Sequence, residues 1–510
     1  MSQDPILEQG QPVNEKEHSP VDSPNPGEAH SNVEKEKQTQ SSLSEPQPEG
    51  VVGSLYRRFD SLLRWFLLGM LCLLLIGHWE NKQIQKKPWS RGVIIWDEQL
   101  IKELLTKISD GTDFKKLLVI PDVQISNQNN EFLVELLKKL ELGKEENIPA
   151  LTYPVFVWMD SMEDFLPMLS SGRLPEPGKY EALAGDLSPV VPLQIHNTTY
   201  NIVGTLSRDY SPFVGAYVIP SESIDDIPDT IVPGLAFPDA VTIFSNLHGE
   251  TKGNLKDIDY MEGISSLQAR TSDLFSIGTA ISLLIICIAL KEIFKLLYRR
   301  LASPPTPVIG PLFSEIQQRN KLFRFVNTFF YMVFFINLFT ALYEPETHRL
   351  IIYYITHVFS KGDLQYIGEA YEQGDILRAA ITTFHNNFWV QTFLLTFLIS
   401  IPPLMLGVFK NLASFAFAGY AMSPIWSGTA VRLTFHSITI VLELEAYILA
   451  IFAVVLWTYY FWNAVFTRRQ FRQKICKGFR VIISAIIITG CILAIAGLYE
   501  AITIILFSSY

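Results

Sequence analysis

Apolar and polar positions along this chain sort into three regimes. Residues 1–50 hold almost no large apolar side chains; residues 80–273 mix apolar and polar positions at short period; the rest is dominated by long uncharged runs. In the middle regime, Leu117–Ile120, Val155–Met159 and Tyr200–Leu206 read as strands, and apolar residues at three- and four-residue spacing predict helices near Glu98–Ile108 and Glu131–Leu142. Frequent Pro and Gly between them supply turns, so this stretch is expected to form one compact α+β domain.

The apolar runs are long enough to cross about 30 Å of hydrocarbon. They lie at Leu62–Trp79, Leu274–Leu290, Phe325–Tyr343, Asn386–Phe409, Leu412–Val431, Ala446–Phe466 and Val481–Tyr499. The expectation is a multi-span α-helical membrane protein of about seven spans, with the α+β domain inserted after the first. Pro402, Pro403 and Pro424 mark segments that are open to kinking or re-entrance. The first apolar run begins only at Leu62, too late for a cleaved secretory signal, and is read as an anchor.

Composition agrees with this division. Apolar residues make up 48% and charged residues 18% of the 510 positions, values that suit a membrane protein better than a soluble one. Net charge is −10, and the first fifty residues supply ten Asp/Glu against three Lys. With seven prolines and little to bury, that segment is expected to be a disordered acidic tail. A nucleic-acid binder would need a basic face, and none is visible.

Basic residues in the short flanks set the expected orientation. With the N-terminus cytoplasmic, the inner flanks collect Arg57, Arg58, Lys291, Lys295, Arg299, Arg300 and the basic stretch from Arg468 to Arg480. The outer short loops hold only Arg349, Lys361, Arg378 and Arg432. Lys82, Lys86, Lys87 and Arg91 run against the rule, but long translocated domains tolerate such charges. The expected location is therefore the cytoplasmic membrane. The expected divisions are a tail (1–50), a flank and first span (51–79), an extracytoplasmic domain (80–273), a pair of spans (274–345), an outer loop or amphipathic helices (346–385) and a terminal bundle (386–510).

Motifs for chemistry are mostly missing. There is no GxxxxGK[ST] loop, no HExxH pair and no GxSxG elbow, so any nucleotide energy would come from another chain. Cys72, Cys287, Cys476 and Cys491 offer neither a disulfide framework nor a CxxC metal site. His196 and His248 read as surface or turn histidines. No cofactor or metal is expected, nor catalysis.

Polar residues inside the terminal apolar runs are the exception, because an acidic side chain at a helix centre costs roughly 2.5–3.5 kcal/mol on insertion scales. The candidate intramembrane polar site comprises Asn386, Asn387, Asn411, His436, Thr439, Glu443, Glu500 and Thr503. Glu443 and Glu445 are two positions apart, on nearly opposite helix faces, so only one can enter a given cavity. Glu445 is expected to sit at the interface, solvated or capping, and Glu443 and Glu500 to join helices in the interior. His436 and Glu443 share a face about 10 Å apart, with Thr439 placed to bridge them. An intramembrane hydrolase built on His436, Glu443 and Glu445 has the least behind it.

From Thr382 to Ser509 the chain resembles the stage II sporulation protein M family. That family's pattern runs from an Asn-Asn pair through an Asn at a following turn and a His-Gly-x-x-Glu-Leu-x-Ala segment to a terminal Glu-Ala-x-x-Thr. The matching residues are Asn386-Asn387, Asn411, Glu443-Leu444-Glu445-Ala446 and Glu500-Ala501-Ile502-Thr503. Thr439 stands where the family's histidine would be, and Leu412 replaces the Gly after Asn. The resemblance implies a non-enzymatic scaffold that assembles with other membrane or envelope proteins, such as a peptidoglycan-cleaving enzyme. The phrases Ser170–Pro175, Glu181–Gly185, Tyr200–Thr205 and Tyr217–Pro220 are similar to the periplasmic core domain of MacB-type ABC exporter permeases. This implies the alternative function, a permease-like subunit for lipid or peptide driven by a separate ATPase.

Overall fold

The computed structural model describes residues 49–84, 86–87, 89, 92–107, 113–124, 152–224, 230–238, 264–265, 270–302, 306–360, 362, 364–426, 429–468 and 470–507. The acidic tail through residue 48, the expected helix at Glu131–Leu142 and His248 lie outside them. Residues 59–510 form one compact unit.

A leucine-rich helix, α1 (Glu49–Ile84), leads into the strand-forming stretch. Among the described residues ten strands follow: β1 (Val93–Ile95), β2 (Lys115–Gln124), β3 (Thr152–Trp158), β4 (Leu169–Gly172), β5 (Glu181–Ala184), β6 (Leu193–Ile195), β7 (Thr198–Leu206), β8 (Tyr217–Pro220), β9 (Val232–Phe237) and β10 (Ile264–Ser265). They form one mixed sheet in the order β10-β1-β9-β2-β3-β8-β5-β7-β4, with β6 added on β7. β3–β8 and β5–β7 are parallel; the other pairs are antiparallel.

Strand periodicity explains why both sheet faces are dry. Along β3, Phe156 and Trp158 join a cluster with Trp89, Phe165 and Phe213 on one face, while Val155 and Val157 join Tyr153, Leu193 and Tyr217 on the other. The amphipathic helix α2 (Glu98–Lys107) sets Leu104 against Val93, Ile95 and Phe237. Leu117–Ile120 and Tyr200–Leu206 fall within β2 and β7, Val155–Met159 overlaps β3 except for Met159, and His196 occupies the β6–β7 turn at φ 50°.

The helical part contains α3 (Asp273–Leu301), α4 (Gly310–Gln318), α5 (Asn320–Tyr343), α6 (Pro345–Ser360), α7 (Gln365–Glu372), α8 (Ile376–Phe384), α9 (Leu406–Ala421), α10 (Thr429–Thr467) and α11 (Phe471–Phe507). Among the described residues five helices are long and apolar enough to span a membrane: α1 (from Arg57), α3, α5, α10 and α11. α10 is the central one, with 72% of its apolar window buried against 11% for α1.

Two of the seven expected runs are built differently. Asn386–Phe409 is not one helix: α8 continues into a π-helical segment, His385–Phe397, and a 3-10 turn, Leu398–Ser400, before the chain reverses at 401–405 and enters α9. Leu412–Val431 is likewise divided, because α9 stops at Ala421 and α10 starts at Thr429. Pro402 and Pro403 fall in the first reversal and Pro424 in the second, where a missing backbone donor is tolerated.

The sheet is tied to the helices at several points. The Thr271 hydroxyl bonds to Glu80 of α1, and the Thr271 amide donates to the Ile425 carbonyl at 2.8 Å. Arg270 pairs with Asp186 at 2.7 Å, and the Arg349 guanidinium lies 4.9 Å from the Tyr153 ring centre.

Candidate functional site

The carboxylate of Glu443, on α10, accepts a hydrogen bond from Asn387 Nδ2 at 2.7 Å, and Asn386 Nδ2 donates to Asn387 Oδ1 at 3.2 Å. Glu500, one turn beyond Ala496 on α11, is near enough for its charge to act on Glu443. Tyr371 and Tyr447 stand within electrostatic reach of both acids, and Tyr371 shares a hydrogen bond with Thr383 at 3.0 Å. Small residues make the approach possible: Ala379 and Ala380 of α8 pack against Ala501 of α11, and Phe388 against Ala446 and Leu493. Four sequence-selected residues, Asn386, Asn387, Glu443 and Glu500, are thereby brought together, all half-buried.

The π-helical turn is what presents the asparagine pair. Thr392 and Thr396 each donate to a carbonyl five residues back, those of Asn387 and Gln391, at 2.7 and 2.8 Å. Such widened helices expose backbone that a membrane cannot solvate, so side chains must close the account. Thr392 and Thr396 take that part, and Asn411 braces Thr396: its Nδ2 donates to Thr396 Oγ1 at 2.8 Å and to the Gly407 carbonyl of its own helix at 2.6 Å. Ser400 Oγ accepts from the Gly407 amide, and Trp457 and Trp462 donate to the carbonyls of Ile401 and Pro403. Asn411 is thus a clamp on the helical hairpin.

The other selected residues stand apart. Thr439 is buried and its hydroxyl has no hydrogen-bond partner among the described residues, so it does not bridge His436 to Glu443. Thr503 returns its hydroxyl to the Glu500 carbonyl of its own helix at 3.0 Å.

Glu445 corrects the expectation of a solvated interface residue. It is fully buried, accepting from Tyr298 Oη of α3 at 3.0 Å and Asn327 Nδ2 of α5 at 2.9 Å, with Lys291 within electrostatic reach. A fourth acid, Glu315 of α4, is nearly fully buried between Arg319 Nε at 3.0 Å and Lys477 Nζ at 2.5 Å. The Arg319 guanidinium also lies 4.3 Å from the Tyr459 ring centre. Sequence reasoning missed both clusters; an Asn and a Tyr interrupting apolar runs were the available signal for the first.

In the sheet, the four phrases singled out above become neighbouring strands, β8-β5-β7-β4. Arg173, just after β4, grips Glu181 of β5 with both terminal nitrogens, at 2.7 and 2.5 Å. These bonds, with a further one from the Glu176 amide, hold the Glu181 carboxyl down at about 2. Gly185 follows β5 so closely against the next loop that a Cβ there would lie 1.9 Å from the Phe213 carbonyl oxygen.

Among the described residues no group of three or more His, Cys, Asp or Glu could hold a metal ion. No family model matches the chain, and no curated protein matches it significantly.

Proposed function

We propose that this chain is a non-catalytic multi-pass membrane scaffold, an assembly component of a complex that remodels the cell envelope. One observation carries the reading: the polar side chains of the helical part are spent on helix-to-helix bonds. Asn387 holds Glu443, Asn327 and Tyr298 hold Glu445, and Asn411 holds Thr396. Such bonds specify how helices meet rather than transform a substrate. The resemblance to the stage II sporulation protein M family supplies the envelope context.

The arrangement proposed in the membrane has seven crossings, the N-terminus in the cytoplasm of the cell membrane and the sheet outside as an inserted extracytoplasmic domain. Two contacts support counting the hairpin as two full crossings. Its reversal at Ile401–Pro403 lies beside Trp457 and Trp462, toward the C-terminal end of α10, whereas the turn after α9 carries Ile425, whose carbonyl accepts from Thr271 at the sheet.

A second reading, a permease-like subunit powered by a separate ATPase, draws on the Glu443–Glu500 pair beside a π-helical turn. Two acids near enough to act on each other's charge favour a shared proton or a cation beside them, which is a feature of transport pathways. Affinity purification of the full chain in mild detergent separates the two. Recovery of an envelope protein or peptidoglycan-cleaving enzyme at stoichiometric amounts supports the scaffold. Recovery of an ATPase whose activity in the complex falls in Glu443→Gln supports the permease.

A further inference from the structure

Beneath α4, where α11 begins, a cavity of about 480 Å³ is lined on the α11 side by Arg472, Cys476, Lys477 and Arg480 and on the α4 side by Pro311 and Ser314. Successive four-residue steps place Arg472, Cys476 and Arg480 on one helix face. The charges are unequally matched. Glu315 is satisfied by Lys477 and Arg319, whereas Arg472 and Arg480 are exposed and form no ion pair among the described residues. Three cations, Arg472, Lys477 and Arg480, thus line the cavity, and no carboxylate is among its lining residues. Directly past Arg480 the helix turns uncharged, beginning with the buried Val481, so the cavity stands at the start of the apolar part of a membrane-spanning helix. That is the depth at which lipid phosphates lie, and basic recesses between helices at that depth select acidic headgroups.

We propose that this cavity binds the phosphate of an acidic phospholipid headgroup, with Arg472 and Arg480 as its two anchors and the Ser314 hydroxyl as a further donor. The planar fork of arginine suits bidentate contact with phosphate oxygens. Acyl chains leave along the apolar surface of α11, where Ile483 and Ile487 are exposed. A neighbouring cavity on the other side of α4, lined by Lys295 and Arg299, serves as an internal control, since Lys295 is already paired with Glu292 at 2.7 Å.

The test uses the full-length protein in a neutral detergent, titrated with phosphatidylglycerol, phosphatidylcholine or inorganic phosphate and read by native mass spectrometry. Phosphatidylglycerol is expected to bind in preference to phosphatidylcholine, and the double variant Arg472→Gln/Arg480→Gln to weaken it by about thirtyfold, two cations' worth. Lys295→Gln, which removes a cation already paired in the other cavity, should bind as wild type. A second readout needs no variant: phosphatidylglycerol should slow modification of the native Cys476 by a neutral maleimide, and phosphatidylcholine should not. Equal binding of the two lipids, unaltered binding by the double variant, or unprotected Cys476 would overturn the assignment. Binding of inorganic phosphate with no preference for the acidic lipid would overturn it as well, marking the recess as a site for a free phosphate.

Discussion

Glu443 and Glu445 stand two residues apart on α10 and are held by different sets of helices, Glu443 by Asn387 of the π-helical turn and Glu445 by Tyr298 of α3 and Asn327 of α5. A rotation of about 200° between positions i and i+2 sends them to opposite faces. α10 is thereby pinned from two sides by a polar bond within an otherwise apolar packing.

Glu443→Gln keeps shape and an acceptor for Asn387. Interhelical bonds in membranes average about 0.6 kcal/mol, so its melting temperature in detergent should stay close to wild type. Glu443→Leu strands the Asn387 donor and should cost roughly 1–3 kcal/mol. A Gln variant that is stable yet inactive in the envelope or transport assay would move the site from packing to chemistry.

Glu445→Leu removes the acceptor of two buried donors at once and should lower stability at least as much, roughly 1–3 kcal/mol per stranded group. Combined with Glu443→Leu, the losses should add within about 0.5 kcal/mol if the two faces are independent. Thermal unfolding of the three proteins measures this, and strong non-additivity would show the clusters to be one network.

The Arg173–Glu181 pair predicts a pH signature. Glu181 titrates at about 2 when folded against an ordinary 4.5, so it stabilises the fold above 4.5 and loses that contribution as pH falls toward 2. The stability gap between wild type and Glu181→Gln should therefore be full at neutral pH and close across that window. Denaturation monitored by tryptophan fluorescence at several pH values checks it; a gap that persists at pH 2 would exclude the pair as its source.

Gly419 of α9 passes so close to α5 that a Cβ would lie 2.2 Å from the Phe334 carbonyl oxygen. Gly419→Ala should separate the two helices and lower the melting temperature, more than an alanine at Gly374, where nothing lies within 4 Å, though there φ 67° adds strain of its own. Comparable tolerance of Gly419→Ala and wild type would mean the helices can slide apart freely.

Orientation is checked by an impermeant thiol reagent on intact cells. In a background lacking native cysteines, a cysteine at the exposed Lys179 should be labelled and one at Arg472 should not. The reverse pattern would invert the proposed topology.

Much of the fold was legible because the short apolar runs Leu117–Ile120 of β2 and Val155–Trp158 of β3, buried on both faces, and the long apolar runs of the helices survive any context. The hairpin at 401–405 was not, since Ile401, Pro402, Pro403, Leu404 and Met405 are apolar themselves and hydropathy merges the turn with the helices it joins. Only the proline pair marked it. Within the site, Asn387 and Glu443 stood out as polar residues in apolar runs, but the destination of Glu445 was hidden: its partners lie 147 and 118 residues earlier. Sheet order was equally out of reach, because β1 pairs with strands that come after most of the domain.

That pairing has an architectural outcome. Since Ile94 sits opposite Ser265, the first and last described strands lie side by side at one edge of the sheet, and Glu80 of α1 separately bonds to Thr271, just ahead of α3. The two ends of the sheet segment are thus closed on each other, and the Arg349 contacts with Tyr153 and Gly215 hold its body to α6 as well. A short hairpin in place of the segment between β1 and β10 would keep those ends closed but give up the Arg349 contacts, so the sheet is both a closed loop on the chain and a clasp on α6.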